Sequence, residues 1–119
     1  MIGEAADLPS DSLVDIWTRL AQEFKGSSEV CFGIMNEPHD VKEDVWITTL
    51  QAVVTAIRKT GATNRIILPA DNWSSLGSFV NSYHAGMSKI QNPDGSYTGL
   101  IFEMHKVRFC LLKLLSPTC

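Results

Sequence analysis

With 119 residues, 45% hydrophobic and 19% charged, and a formal net charge of -3, the chain has the size and make-up of one globular domain. Mild acidity argues against nucleic acid or an anionic membrane surface as the main partner, since both reward clustered Lys and Arg. No apolar run reaches the ~20 residues that a bilayer span needs, and the start, "MIGEAADLPS", has neither the basic nor the apolar part of a secretory signal.

The first predicted element is a helix over "SDSLVDIWTRLAQEFKG". Leu13, Ile16, Trp17, Leu20 and Phe24 recur there at helical spacing and form one stripe expected to face the core. Ser10 or Asp11 would cap its first turn, and Gly26 would supply a left-handed stop. Next comes "VCFGIM", residues 30–35, which is too short for a helix and lacks polar alternation. That pattern predicts a strand covered on both faces, with Cys31 a buried, inert thiol and Gly33 a point of close approach.

A second helix is predicted over residues 44–60, with Trp46, Leu50, Val53, Val54 and Ile57 on its inner face and Gly61 at its end. "RIILP", residues 65–69, reads as a strand closed by Pro69. Residues 71–91 are mixed and suit one or two short helices. "NPDG" is a turn, and "GLIFEMH", residues 99–105, is a third strand.

Apolar strands alternating with helices specify an α/β fold with a parallel sheet. In such sheets chemistry gathers beyond the carboxyl ends of the strands. Asn36, Glu37, Asn72, Trp73 and His105 all fall there. Cys31, Cys110 and Cys119 form no CxxC pair or metal-ligand spacing, so neither a zinc site, a disulfide framework nor any other cofactor is expected. The chain also lacks a Gly-x-Ser-x-Gly elbow, a phosphate-binding glycine loop and an HExxH pair.

The runs "FGIMNEPHDV", "VVTAIRKTGAT" and "NPDGSYTGLIFEMHK", with Trp73 between them, resemble glycoside hydrolase family 5, and within it the secreted fungal endo-β-1,4-glucanases. The resemblance runs in register from about residue 13 to residue 106. It implies part of a (β/α)8 TIM barrel, here about three parallel strands with interleaved helices. It also implies a retaining hydrolase that cuts cellulose or related β-glucans outside the cell. By position, Glu37 corresponds to the general acid/base and Asn36 to an amide that bonds the sugar hydroxyl beside the scissile bond. His105 corresponds to an active-site histidine, and Trp73 to a platform for a sugar face.

The chemistry accounts for these residue types. Protonating a glycosidic oxygen takes an acid that keeps its proton near the working pH, and retention takes a second carboxylate about 5–5.5 Å away as nucleophile. On local sequence alone Glu37 also reads as an ordinary exposed carboxylate at a loop start, and the flanking resemblance is what assigns it a role. In the family the nucleophile is a Glu on the seventh strand, which has no counterpart here. The same holds for the Arg and His of the first three strands.

After "MHK" the family continues with a tyrosine and a polar loop, whereas this chain reads "VRFCLLKLLSPTC". Residues 1–106 are therefore expected to be part of the catalytic domain and 107–119 a tail foreign to it. Every valine codon begins with GT, the usual intron donor, so a break at Val107 suggests translated intron. The alternative function is a catalytically incomplete fragment that binds glucan weakly through Trp73.

Other residues have plainer expectations. Glu103 shares parity with His105 but lies about 6–7 Å deeper, which suits a buried, hydrogen-bonded structural acid. His39 is expected to pack on Pro38, His84 to be exposed, and Trp17 and Trp46 to be core residues. Asp11, Asp15, Glu43 and Asp44 read as solvated helix faces and caps. Three strands leave two open edges, so marginal stability and self-association are expected.

Overall fold

The computed structural model describes residues 10–107. Its centre is a three-stranded parallel sheet in the order β1 (Phe32–Gly33), β2 (Ile66–Pro69), β3 (Leu100–Glu103). Helix α1 (Ser10–Phe24) precedes β1, and α2 (Glu43–Lys59) crosses from β1 to β2. Between β2 and β3 runs a broken helical stretch: α3 (Leu76–Ser78), a π-helical turn (Phe79–Tyr83) and α4 (His84–Met87). The predicted element order, parallel sheet and crossover helices are all present.

Register sorts the sheet into two faces. Phe32 pairs with Ile66 and Ile66 with Leu100, a row on the helix side; Leu68 and Phe102 continue that side. Phe32, Ile34, Ile66 and Leu68 are fully covered there by α2 and its neighbours. The opposite face carries the row Gly33, Ile67, Ile101, followed by Pro69 beside Glu103. This second face is partly open, and Ile101 is 42% exposed.

Coverage on one side corrects two expectations. The strand around β1 is not covered on both faces, and Cys31 is exposed rather than buried. The cause is alternation: Cys31 and Gly33 point to the face that lacks a covering layer, while Phe32 and Ile34 point to the helices. Regular pairing in β1 is also shorter than predicted. Its partner lies on one side only, through Phe32 N–H to the Arg65 carbonyl at 2.9 Å and Ile34 N–H to the Ile67 carbonyl at 3.1 Å.

Helix α2 buries Trp46, Leu50, Val53, Val54 and Ile57 as its spacing predicts. Gly61 ends it at φ 85°, a left-handed value that glycine adopts without Cβ strain. Helix α1 departs from its stripe. Leu13 and Ala21 are buried and Trp17 is partly covered, but Ile16, Leu20 and Phe24 are 52%, 37% and 43% exposed. Gly26 is not left-handed. The chain instead leaves α1 through Lys25 N–H to the Ala21 carbonyl and Ser27 N–H to the Phe24 carbonyl.

Side-chain amides then lock the amino end of the sheet. Asn64 Nδ2 donates to the Ser27 and Val30 carbonyls, and Arg58 donates to Asn92 Oδ1 and to the carbonyls of Ala62 and Asn64. With that end fixed, the carboxyl ends of all three strands open on one rim. Cys110, Cys119 and the proposed foreign tail from residue 108 onward lie outside the described residues.

Candidate functional site

At that rim the chain turns sharply out of each strand. Among the described residues five that are not glycine have positive φ, and all five lie in the loops after β1 and β2: Glu37 (47°), Asp40 (60°), Asn72 (57°), Trp73 (57°) and Ser74 (52°). Each such residue costs about 1 kcal/mol or more, so the surrounding contacts must hold them.

Those contacts tie one loop to the other. Trp73 N–H donates to the Pro38 carbonyl at 2.9 Å, which sets the tryptophan beside the Glu37 loop. Asp71, buried, accepts from Val41 N–H at 3.3 Å and from the Tyr83 hydroxyl at 3.3 Å. Burial first, and then the Asp71 charge, raise the Tyr83 pKa, so its hydroxyl keeps its proton and serves as a donor. From below, Trp46 Nε1 donates to the Pro69 carbonyl at 2.8 Å and fixes the end of β2.

The third strand delivers His105. Its backbone is held on both sides by the segment after β2: N–H to the Ser74 carbonyl at 2.7 Å, and its own carbonyl accepting from Leu76 N–H at 3.0 Å. The imidazole reaches back across the sheet, and its Nδ1 lies 2.8 Å from Glu37 Oε1. On the other side of the ring, Nε2 lies 3.1 Å from Glu103 Oε1. The bond to Glu103 first, and that to Glu37 second, raise the His105 pKa above its ordinary value.

Of the sequence-predicted site residues, Glu37, Trp73 and His105 therefore converge from three strands on one rim. Asn36, next to Glu37, is exposed there. Trp73 is 50% exposed, a flat apolar surface in a polar surround. Two further contacts escaped the sequence. The first is at His39. Its ring stacks on the Trp73 indole, centroids 5.1 Å apart and planes 15° apart, while its Nδ1 bonds Asp40 Oδ2 at 2.9 Å. Glu103 is hydrogen-bonded as expected, but its side chain is 28% exposed, and its partner is the very histidine that holds Glu37. Parity along β3 was the available signal for Glu103; nothing local signals the His39 stack.

A cavity of about 340 Å³ lies at the opposite, amino end of the strands, lined by residues such as Arg58, Asn92 and Asp94. Arg58 and Asn92 are spent on contacts within the chain. Among the described residues no group of three or more His, Cys, Asp or Glu side chains is disposed to hold a metal, and no helix is long and apolar enough to cross a membrane.

The family model described as Cellulase (glycosyl hydrolase family 5) matches residues 4–106. The chain belongs to that family. Endoglucanase EG-II of Hypocrea jecorina is 50% identical to this family 5 chain over 93 residues, covering 76% of it and 22% of the relative. The crystal structure of Cel5A (EG2) from the same organism superposes with a TM-score of 0.83 at 45% identity, over 89% of this chain and 32% of that one. A structure of XacCel5A in complex with cellopentaose superposes at 0.82 with 33% identity, over 98% and 38% of the two chains. This family 5 chain thus spans between about a fifth and two fifths of the length of these relatives, and its three strands form part of a barrel.

Proposed function

We propose that this chain is a segment of a retaining glycoside hydrolase that cleaves β-1,4-glucosidic bonds in cellulose or related glucans, with Glu37 as general acid/base. The observation that carries the reading is the 2.8 Å contact between Glu37 and His105 at the carboxyl ends of parallel strands. In this arrangement the acid is partly exposed to an incoming glycosidic oxygen and is oriented by a ring locked to the scaffold. Asn36 offers an amide to the sugar hydroxyl next to the scissile bond. Trp73, backed by His39, offers its open face to the C–H side of a pyranose. The relatives' names and the cellopentaose complex support a β-glucan as substrate, and a polymer of that kind is met outside the cell, which is where the reading places the parent enzyme. Residues 107–119 stand outside the matched region, in keeping with a catalytic segment followed by a foreign tail.

A second reading concerns the chain by itself. Glu103 does not serve as the second carboxylate, because the His105 ring stands between it and Glu37 and occupies the space that a sugar carbon would need. The isolated chain is then expected to bind glucan weakly through Trp73 and to turn nothing over.

One experiment tests both. Residues 13–106 are exchanged for the matching segment of Hypocrea jecorina endoglucanase EG-II, and hydrolysis of soluble β-1,4-glucan is measured for the chimera and for the chain alone. The chimera should be active and the chain inactive. In the chimera Glu37→Gln should lower kcat by about 10²–10⁴-fold, and Trp73→Ala should raise KM about tenfold by removing half a buried indole face. A Glu37→Gln chimera with undiminished kcat would overturn the assignment.

A further inference from the structure

We propose that Glu103 is a positioning residue that keeps the His105 hydrogen on Nε2 and thereby reserves Nδ1 for the proton of Glu37. An ionised carboxylate only accepts, so the ring nitrogen it faces must carry a hydrogen. His105 faces two carboxylates, Glu37 at 2.8 Å through Nδ1 and Glu103 at 3.1 Å through Nε2, and these are the titratable groups set against the ring from the β1–α2 loop and from β3. A neutral imidazole has one hydrogen to give. If Glu103 takes it, Nδ1 is bare, and the contact to Glu37 closes only when a proton lies in it.

That proton sits on the Glu37 carboxyl beside a neutral ring, or on Nδ1 beside a Glu37 carboxylate; the two forms differ by its transfer alone and keep the same total charge. Either way the pair stores one proton at the rim. Without Glu103 the ring is free to place its single hydrogen on Nδ1 and to donate it to an ionised Glu37, which leaves no proton for a leaving oxygen.

The backbone makes this arrangement stiff. Glu103 ends β3 in register with Pro69, and His105, two residues on, shares its face. Both the N–H and the carbonyl of His105 are bonded to the segment after β2, so the ring swings from a fixed Cα. The raised His105 pKa, owed first to Glu103, agrees with an acceptor at Nε2.

The tautomer is independent of the hydrolase reading; its catalytic consequence rests on Glu37 being the acid. The first measurement is therefore made on the chain itself, by ¹⁵N NMR of labelled imidazoles, with His105→Gln to assign the signal. Above its titration, His105 should be the Nε2–H tautomer, and Glu37→Gln should leave it so. Glu103→Gln should make Nε2–H the minor form and lower the His105 pKa. An unchanged tautomer in Glu103→Gln, or a switch in Glu37→Gln, would overturn the proposal.

The second measurement uses the chimera. Glu103→Gln should lower kcat about tenfold with KM unchanged and move the pH profile of kcat, and Glu103→Asp should recover part of the loss. A profile that stays put while the tautomer switches would sink the catalytic consequence. A chimera inactive with every residue in place would instead count against the hydrolase reading and leave the tautomer result standing.

Discussion

Helices α1 and α2 carry apolar stripes of the same period, yet the protein treats them differently. Helix α2 lies over the sheet between α1 on one flank and α4 on the other, and its whole stripe is buried. Helix α1 has α2 on one flank, and among the described residues nothing lies on the other. Its inner edge, Leu13, Val14, Trp17 and Ala21, packs inward, while Ile16, Leu20 and Phe24 face outward. Periodicity thus identifies the helix and the apolar arc, but the share of that arc which is buried depends on how many neighbours the fold supplies. The sheet repeats the lesson, since its helix side is closed and its inner side is partly open around Gly33, Ile67 and Ile101.

The widest separation between the two helices should appear on truncation. Trp46 is fully buried and holds the end of β2 through its indole N–H. Trp46→Ala should cost about 3–5 kcal/mol by opening a cavity and orphaning the Pro69 carbonyl. Phe24→Ala on the outer face of α1 should stay within about 0.5 kcal/mol. Urea unfolding of the two variants measures the contrast, and equal losses would mean that α1 is covered in solution.

The two sides of the sheet should also differ in their response to pH. The helix side is built of apolar rows, Phe32, Ile66 and Leu100 with Leu68 and Phe102. The inner side is clasped by His105, whose pKa is raised by Glu103 and then by Glu37. A raised value means that the folded state binds the proton more tightly than the unfolded chain does. The clasp's contribution is therefore complete below the unfolded value of about 6.5 and is lost as pH climbs through the higher folded value. The melting temperature of the chain should accordingly fall toward that of His105→Gln as pH is raised from about 6.5 upward. A gap that widened with pH would reverse the sign of the linkage.

The elements legible in the sequence are those whose signal is local. Helix α2, strands β2 and β3 and the turn at Asn92–Gly95 carry their own period, β-branched residues or punctuation, and each stands where predicted. The placement of Glu37, Trp73 and His105 on one rim follows from strand order, which alternation of elements discloses. Cys31 is exposed against expectation because a short apolar run looks the same whether one face or two are covered. The stack of His39 on Trp73 depends on a left-handed stretch, Asn72–Trp73–Ser74, that Trp73 and Ser74 do not favour by themselves. Bonds to residues elsewhere sustain it, among them Trp73 N–H to the Pro38 carbonyl and His105 N–H to the Ser74 carbonyl. Glu103 stands on the face that its parity assigns and is hydrogen-bonded as expected, but it is 28% exposed rather than buried, because the inner side of the sheet is partly open.

The finest test of the comparison concerns surface rather than core. If the outer arc of α1 is an unmatched face, it should bring chains together without stabilising any one of them. Ile16, Leu20 and Phe24 sit one turn apart, and the open edges of β1 and β3 add unpaired backbone groups. Leu20→Lys should cost about 1 kcal/mol or less, because the leucine is 37% exposed and a lysine can keep its stem on the helix while its charge reaches water. The same change should shift sedimentation of the chain toward the monomer, since a charge at the centre of the patch must be desolvated on association. If Leu20→Lys destabilised the monomer by more than that and left its association untouched, the exposed arc would be part of the core and the contrast between the two helices would fail.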